Sequence, residues 1–257
     1  MKYHTFFAAA STVVIVVTHG STIGAGAARA QMSPDLIMET YNSNINAIVS
    51  SRINAHVLDQ AIRRNGGGRG SHGSRTASST RSAVHGSTRF RPSAAVRQRT
   101  LTGLVNKARA TNPQGADALQ RDFAKGDPIA AIAPGLARYS LRTDDVADAM
   151  TAYLVSAWYG VRGSNEDPAP WQVRATREQV HRILLSSPQF ASSSDQTKQQ
   201  MADALLLQLM VTDRLVTSAK GDPSKMVSAK NTIQQAVLKT FQLDLTKAKL
   251  TEEGLRL

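Results

Sequence analysis

The sequence predicts an all-α fold, a multi-helix bundle, and three observations carry that expectation. Beyond residue 90, apolar residues recur at i, i+3, i+4 and i+7, the spacing of a helical face. Aromatic residues make up only 5% of the chain while alanine is frequent, a balance that suits helices packed through small and aliphatic side chains better than a β-sandwich. The apolar stretches are separated by Gly, Asp, Asn, Ser and Pro in the order that closes one helix and opens the next.

Residues 1–30 stand apart. Lys2 and His4 precede an apolar run from Phe6 to Val17, which softens into small residues and ends in Ala28-Arg29-Ala30. That is the order of a secretory signal peptide, and a run of about 12 apolar residues falls short of the roughly 20 that span a bilayer. The expectation is an exported protein, cleaved after Ala30 and beginning at Gln31. The chain has no cysteine, which excludes disulfides, thiol chemistry and thiolate metal sites.

Ser33-Pro34 supplies a cap and a first-turn proline, and Ile37, Tyr41, Ile45, Ile48, Val49, Ile53, Val57 and Ala61 form an apolar stripe. An N-terminal helix is therefore expected over 31–64. Residues 65–89 read as a disordered Gly/Ser/Arg-rich linker. From Asn65 to Thr88 only Val84 is a larger apolar residue, too little to offset the entropy of ordering. Ordered chain is expected to resume at Phe90.

Charge is concentrated in the same region. The net charge is +12, and between Gln60 and Ala116 there are eleven Lys and Arg and no acid. From Asp117 onward 17 basic residues face 16 acidic ones, so the basic character belongs to one segment. Guanidinium forks suit phosphate, which makes Arg63, Arg64, Arg69, Arg75, Arg81, Arg89 and Arg91 the candidate anion-binding residues. The competing reading is that arginine keeps a tether soluble and extended. Gly68-Arg69-Gly70-Ser71-His72-Gly73 also spells G-x-G-x-x-G. A dinucleotide loop needs a strand before it, a helix opening at it and an acid about 20 residues on, and the first acid here is Asp117. An RNA tail is disfavoured by export and by the lack of aromatics for stacking.

Helices follow in order. One is expected from about Ser93 to Ala110, with Val96, Leu101, Leu104 and Val105 inward, and another from about Gln114 to Lys125 after the break at Asn112-Pro113. Ala124-Lys125-Gly126-Asp127-Pro128 recurs at Ala219-Lys220-Gly221-Asp222-Pro223. Each copy reads as a corner: a left-handed glycine, a capping aspartate and a first-turn proline. The helix from about Asp144 to Val161, with Thr143 as its cap, carries Val146, Ala149, Met150, Tyr153, Leu154, Ala157 and Trp158 on one face, and Tyr153 and Trp158 are expected in the core. Further helices are expected over about 171–186, with "SSPQFASSSD" as a loop, then 195–220 and 223–241. The middle of the 195–220 helix is apolar nearly all round and so should lie centrally. The tail "LDLTKAKLTEEGLRL" reads as a short strand-like or helical end piece.

The chemistry is thin. Glu178-Gln179-Val180-His181 is E-x-x-H, but a di-iron bundle needs two copies and two further glutamates, and this occurs once. Asp145 and Asp148 share a helix face and could form a carboxylate pair, although a cap and the helix dipole explain both. Glu166 and Glu178 are the mid-chain glutamates a lytic enzyme could use, and both lie in polar surroundings. Nucleophile-elbow, P-loop and zinc-protease motifs are missing. No catalytic, cofactor or metal residue is assigned.

"DDVADAMTAYLVSAWYGVRG", "VRATREQVHRILLSSPQF", "ADALLLQLMVTDRLVTSAKGDP" and the closing "FQLDLTKAKLTEEGL" resemble an uncharacterised family of exported proteobacterial helical proteins, a domain of unknown function, over about 90–257. The typical member has a bulky aromatic near "LTEEG", where this chain has Leu255. The resemblance implies a Gram-negative envelope protein, periplasmic or secreted, and supplies no activity. The expected role is non-enzymatic binding or scaffolding in the envelope, with anionic envelope polymers or another envelope protein as partner. The alternatives are a peptidoglycan-directed hydrolase and an exported interbacterial effector.

Overall fold

The structure is a computed structural model that describes residues 62–63 and 86–257. The expected signal segment, the N-terminal helix before Ile62, and Arg64, Arg69, Arg75 and Arg81 lie outside the described residues. Ile62 and Arg63 are helical, and Ile62 is buried in the hydrophobic core.

Eight helices and a two-stranded hairpin make up residues 94–256. They are α1 (Ala94–Thr111), α2 (Pro113–Ala124), α3 (Pro128–Ala137), α4 (Val146–Gly160), α5 (Pro170–Ser186), α6 (Pro188–Ala191), α7 (Asp195–Ala219), α8 (Pro223–Phe241), β1 (Lys249–Thr251) and β2 (Gly254–Arg256). The all-α reading holds, and the hairpin is the only sheet among the described residues.

The central position expected for α7 is what the packing shows. α7 touches α1, α3, α4 and α8, and its interface with α4 is the most extensive in the molecule. Leu205, Leu206, Leu207 and Leu209 are all buried, as a helix apolar on every side requires. α4 is buried without a break from Val146 to Val155, so it too lies inside, sandwiched between α7, α5 and α8. At its C-terminal end Gly160 lets α8 approach closely: a Cβ there would stand 2.8 Å from Ile233 Cδ1.

Caps and prolines set the helix boundaries. Ser93, Asn112, Asp127, Ser187, Ser194 and Asp222 all cap with their side chains, and Pro113, Pro128, Pro188 and Pro223 occupy first turns. The two five-residue corners are not identical. Gly221 adopts φ +83°, the left-handed conformation expected of both, whereas Gly126 is not left-handed. There α2 ends on Lys125 in helical geometry, with its N–H bonded to Asp122 O, so the chain turns without a left-handed residue.

Three local expectations are corrected. The cap of α4 is Asp145 rather than Thr143, because Asp145 Oδ1 accepts the N–H groups of Ala147 and Asp148 at 2.8 and 3.4 Å. The stretch read as a loop after Ser186 contains the single turn α6, which buries Phe190 completely. The residues just before Phe90, read as the end of the linker, are packed: Thr88 is buried, and residues 88–90 pair with 144–146 through Phe90 N–Asp144 O and Val146 N–Thr88 O. Sequence composition at Ser87-Thr88-Arg89 carries no sign of this, since the partner that orders it lies 57 residues away.

The C-terminal tail forms the β1–β2 hairpin, with Leu250 opposite Leu255 and Glu252-Glu253 at its tip. Gly254 takes φ +102°, which explains why glycine closes "LTEEG". Leu255, the position of the expected aromatic, is buried. Gln179 on α5 clasps it as a third strand would: Nε2 donates to Leu255 O and Oε1 accepts Leu255 N, both at 2.8 Å.

Candidate functional site

The carboxylates Asp145 and Asp148 are brought together, and Arg177 on α5 joins them. Arg177 Nε donates to Asp148 Oδ1, and its Nη2 lies 3.7 Å from Asp145 Oδ2. Both aspartates are buried. Every oxygen is committed. Asp145 Oδ1 caps α4, Asp145 Oδ2 accepts Thr88 Oγ1 at 3.0 Å, and Asp148 Oδ2 accepts the backbone N–H of Arg142 at 2.9 Å. Burial, reinforced by repulsion from Asp145, pushes the Asp148 carboxyl up to about 6, against the pull of Arg177. The cluster therefore joins four pieces of chain: the 86–90 strap, the 141–142 turn, α4 and α5.

The candidate arginines divide in space. Arg89 on the strap and Arg91 just after it are exposed, and Arg89 Nη2 stands 3.6 Å from Asp144 Oδ2. Asp144 precedes the helix and is held mainly by Arg142, which grips it with Nε and Nη2 at 2.7 and 2.8 Å and keeps its carboxyl below the usual range. Arg63 is exposed. The arginines that look unopposed along the sequence acquire acids from elsewhere: Arg97 takes Asp203 and Asp127, and Arg109 takes Asp117. Arg97 is thus a structural and pocket residue, not part of a free basic run.

Arg97 lines an open cavity of about 290 Å³ between the start of α1, the end of α2, the cap of α3 and α7. Its Nε donates to Asp203 Oδ2 at 2.8 Å and its Nη1 to Asp127 Oδ2 at 2.6 Å. The Asp203 side chain is fully buried, Arg97 is 13% exposed and Asp127 38%. Asp203 Oδ1 has no partner. Burial pushes the Asp203 carboxyl up to about 6, with Asp127 adding to the rise and Arg97 opposing it. Gln199, one turn before Asp203, accepts the Ser93 N–H and donates to the Ser93 carbonyl, and its amide also pulls the Asp203 carboxyl down, against burial. Leu101 and Phe123 supply the apolar wall. The signal that could have found this site is Asp203 itself, a lone charge in "MADALLLQLM" on the helix read as central.

The remaining candidates are not drawn into a centre. Glu166 and Glu178 are exposed and His181 half-buried, and the inward residue of that α5 turn is Gln179. Tyr153 is buried against Phe241, while Trp158 is only partly buried. Trp158 donates Nε1 to Ala248 O, and the Arg162 guanidinium lies 3.8 Å over its ring, so it pins the C-terminal tail at the rim of the core. Among the described residues no group of three His, Cys, Asp or Glu is arranged to hold a metal ion, and no helix is long and apolar enough to cross a membrane.

The fold and these clusters define a helical bundle with a buried arginine–carboxylate joint and a small charged cavity. The chain belongs to a family of unknown function, DUF6683, whose sequence profile matches residues 8–257, a wider span than the segments that carried the resemblance. No curated protein and no solved structure matches it.

Proposed function

We propose that the protein is an exported, non-enzymatic binding or scaffolding component of the cell envelope, whose basic segment contacts phosphate-bearing polymers. The observation that carries this reading is the strap. Its backbone and Thr88 are pinned to Asp144, Asp145 and Val146, while Arg89 and Arg91 face solvent. The described chain from residue 86 is thus fixed to the bundle, and the arginine-rich stretch precedes it in sequence. The Asp145–Asp148 pair supports a structural role for the acids, since each oxygen already accepts a protein donor and none is left to move a proton. Export rests on Ala28-Arg29-Ala30.

The test compares the full chain with a variant lacking residues 65–85, a deletion that spares Thr88. Retention on a phosphate-bearing surface should be strong at low salt, weaken steeply with ionic strength, and fall sharply in the deletion variant. The melting temperature of the bundle should not change. Equal retention with and without 65–85 would end the proposal for that segment. Intact mass of periplasmic protein beginning at Gln31 checks export, and retention of residues 1–30 would overturn it.

A further inference from the structure

We infer that the 86–90 strap is a proton-linked latch: it closes on the N-terminus of α4 when the Asp145–Asp148 pair holds a proton, and it loosens when both acids are ionised. The inference concerns how the strap is held and stands whether or not the basic segment contacts phosphate.

The strap is bonded to the pair directly. Thr88, itself buried, gives its hydroxyl to Asp145 Oδ2 at 3.0 Å. Two backbone bonds flank that contact, Val146 N–H to Thr88 O at 2.9 Å and Phe90 N–H to Asp144 O at 3.1 Å. They form an isolated bridge, with Arg89 opposite Asp145, and no longer ladder extends it. The two ends rest on apolar surface: Phe90 is buried, and a Cβ on Gly86 would stand 3.0 Å from Ala191 Cβ and 3.3 Å from Leu185 Cδ2. A stretch held by so few bonds can open while the helices beneath it stay folded.

Below the strap, charge is out of balance. Asp145 and Asp148 are both buried, and Arg177 from α5 is the cation paired with them. Arg142 offers Asp148 its backbone N–H, but its guanidinium grips Asp144, and Arg89 of the strap also faces Asp144. With both acids ionised, the buried pair carries one excess negative charge and its carboxylates repel each other. Water or a proton relieves that repulsion. The closed strap keeps water out and so favours the proton, whereas the open strap lets water in. A protonated carboxyl keeps acceptor capacity, so the Arg142 N–H and Arg177 retain their partner.

Linkage gives the direction. With the strap closed, burial and repulsion from Asp145 push the Asp148 carboxyl up to about 6, while Arg177 and the Arg142 N–H oppose the rise. With the strap open, solvation returns that carboxyl toward its ordinary 3.8. The closed form binds the proton more tightly. Closure is therefore strongest below about pH 4 and weakens as pH rises through 6. Between pH 5 and pH 7 the ratio of closed to open strap changes by about tenfold.

Amide hydrogen exchange of the full chain, converted to protection factors so that the intrinsic pH dependence cancels, reads the latch through the N–H groups of Phe90 and Val146. Both should be less protected than the N–H of Leu206 in the middle of α7 at every pH, which marks strap opening as local. Their protection should rise about tenfold from pH 7 to pH 5, with a midpoint that coincides with the carboxyl carbon titration of Asp148. Asp148→Asn puts a neutral group in place of the ionised acid. Strap protection in that variant should match the pH 5 wild-type value at pH 7 and stay flat with pH. Asp203→Asn, which neutralises the other raised carboxyl, should leave the strap profile as in wild type. The inference is overturned if strap protection is flat or falls on acidification, if it tracks Leu206, if its midpoint departs from that of Asp148, if Asp148→Asn keeps the wild-type profile, or if Asp203→Asn abolishes it. The wild-type series decides by itself should Asp148→Asn fail to fold.

Discussion

The N-terminus of α4 and the cavity under α1 are built from the same parts, one arginine between two aspartates, yet they end in different states. At α4, Asp145 and Asp148 are buried and all their oxygens find donors: backbone N–H groups of the cap, the Thr88 hydroxyl, the N–H of Arg142, and Arg177. Under α1, Asp203 keeps one buried oxygen unpartnered and Asp127 stays half open to solvent beside a cavity. The difference is the supply of backbone donors. A helix N-terminus has spare N–H groups to give, and α4 spends those of Ala147 and Asp148 on Asp145, while the turn before it gives the Arg142 N–H to Asp148. Asp203 sits mid-helix on α7, where every N–H is already used within the helix, so its second oxygen depends on side chains or on something from outside.

The largest expected effect separates a finished joint from an unfinished one. Asp145→Ala removes the cap, the Thr88 tether and half of the charge facing Arg177, and should destabilise the bundle by about 3–5 kcal/mol in urea unfolding. Asp203→Asn should go the other way. It replaces a buried, half-satisfied charge by a neutral amide while Arg97 keeps Asp127, and is expected to be neutral or to stabilise by about 1–2 kcal/mol at pH 7. If both variants lose stability equally, the two sites are equivalent and the distinction fails.

The pH profile sharpens the comparison. Asp148 and Asp203 both have carboxyls pushed up to about 6, above the ordinary 3.8. Between about pH 4 and 6 the folded chain therefore holds protons that the unfolded chain has lost. The stability this gives is full below pH 4 and is lost as pH rises through 6, by an amount on the order of 1–3 kcal/mol for each group. Unfolding midpoints should thus fall from pH 5 to pH 7, against the usual direction of acid denaturation. Asp203→Asn should remove about half of that slope. A midpoint that rises from pH 5 to pH 7 would show that neither aspartate is perturbed as its burial requires.

Most of the fold was legible because local chemistry writes helix boundaries directly. Pro113, Pro128, Pro188 and Pro223 stand in first turns, and the apolar girdle of α7 marked its central place. The sites were less legible, since pairing over long separations leaves no local trace. Arg97 reads as one more arginine in a basic run until α7 brings Asp203 to it, 106 residues on. Thr88 looks like linker until Asp145 receives its hydroxyl. Asp203 stands as a charge inside an apolar helix, a local sign of a buried pair that the sequence reading did not use and that names no partner.

The smallest stability effect belongs to the strap arginines, and it is the one that separates binding from folding. Arg89 is 58% exposed and its contact with Asp144 spans 3.6 Å, while Arg142 already holds that carboxylate through two shorter bonds. Exposed pairs of this kind contribute about 0–1 kcal/mol, so changing Arg89 and Arg91 together to Gln should leave the melting curve nearly unmoved. Polyanion binding should respond differently. With duplex DNA as a phosphate probe, each lost phosphate contact lowers the slope of log K against log salt by about 0.9, so the double variant should flatten that slope by about 2. A flatter slope with an unchanged melting curve assigns both guanidinium groups to the polymer. An unchanged slope would mean that the strap only ties the basic segment to the bundle, and that contact with phosphate lies elsewhere in the chain.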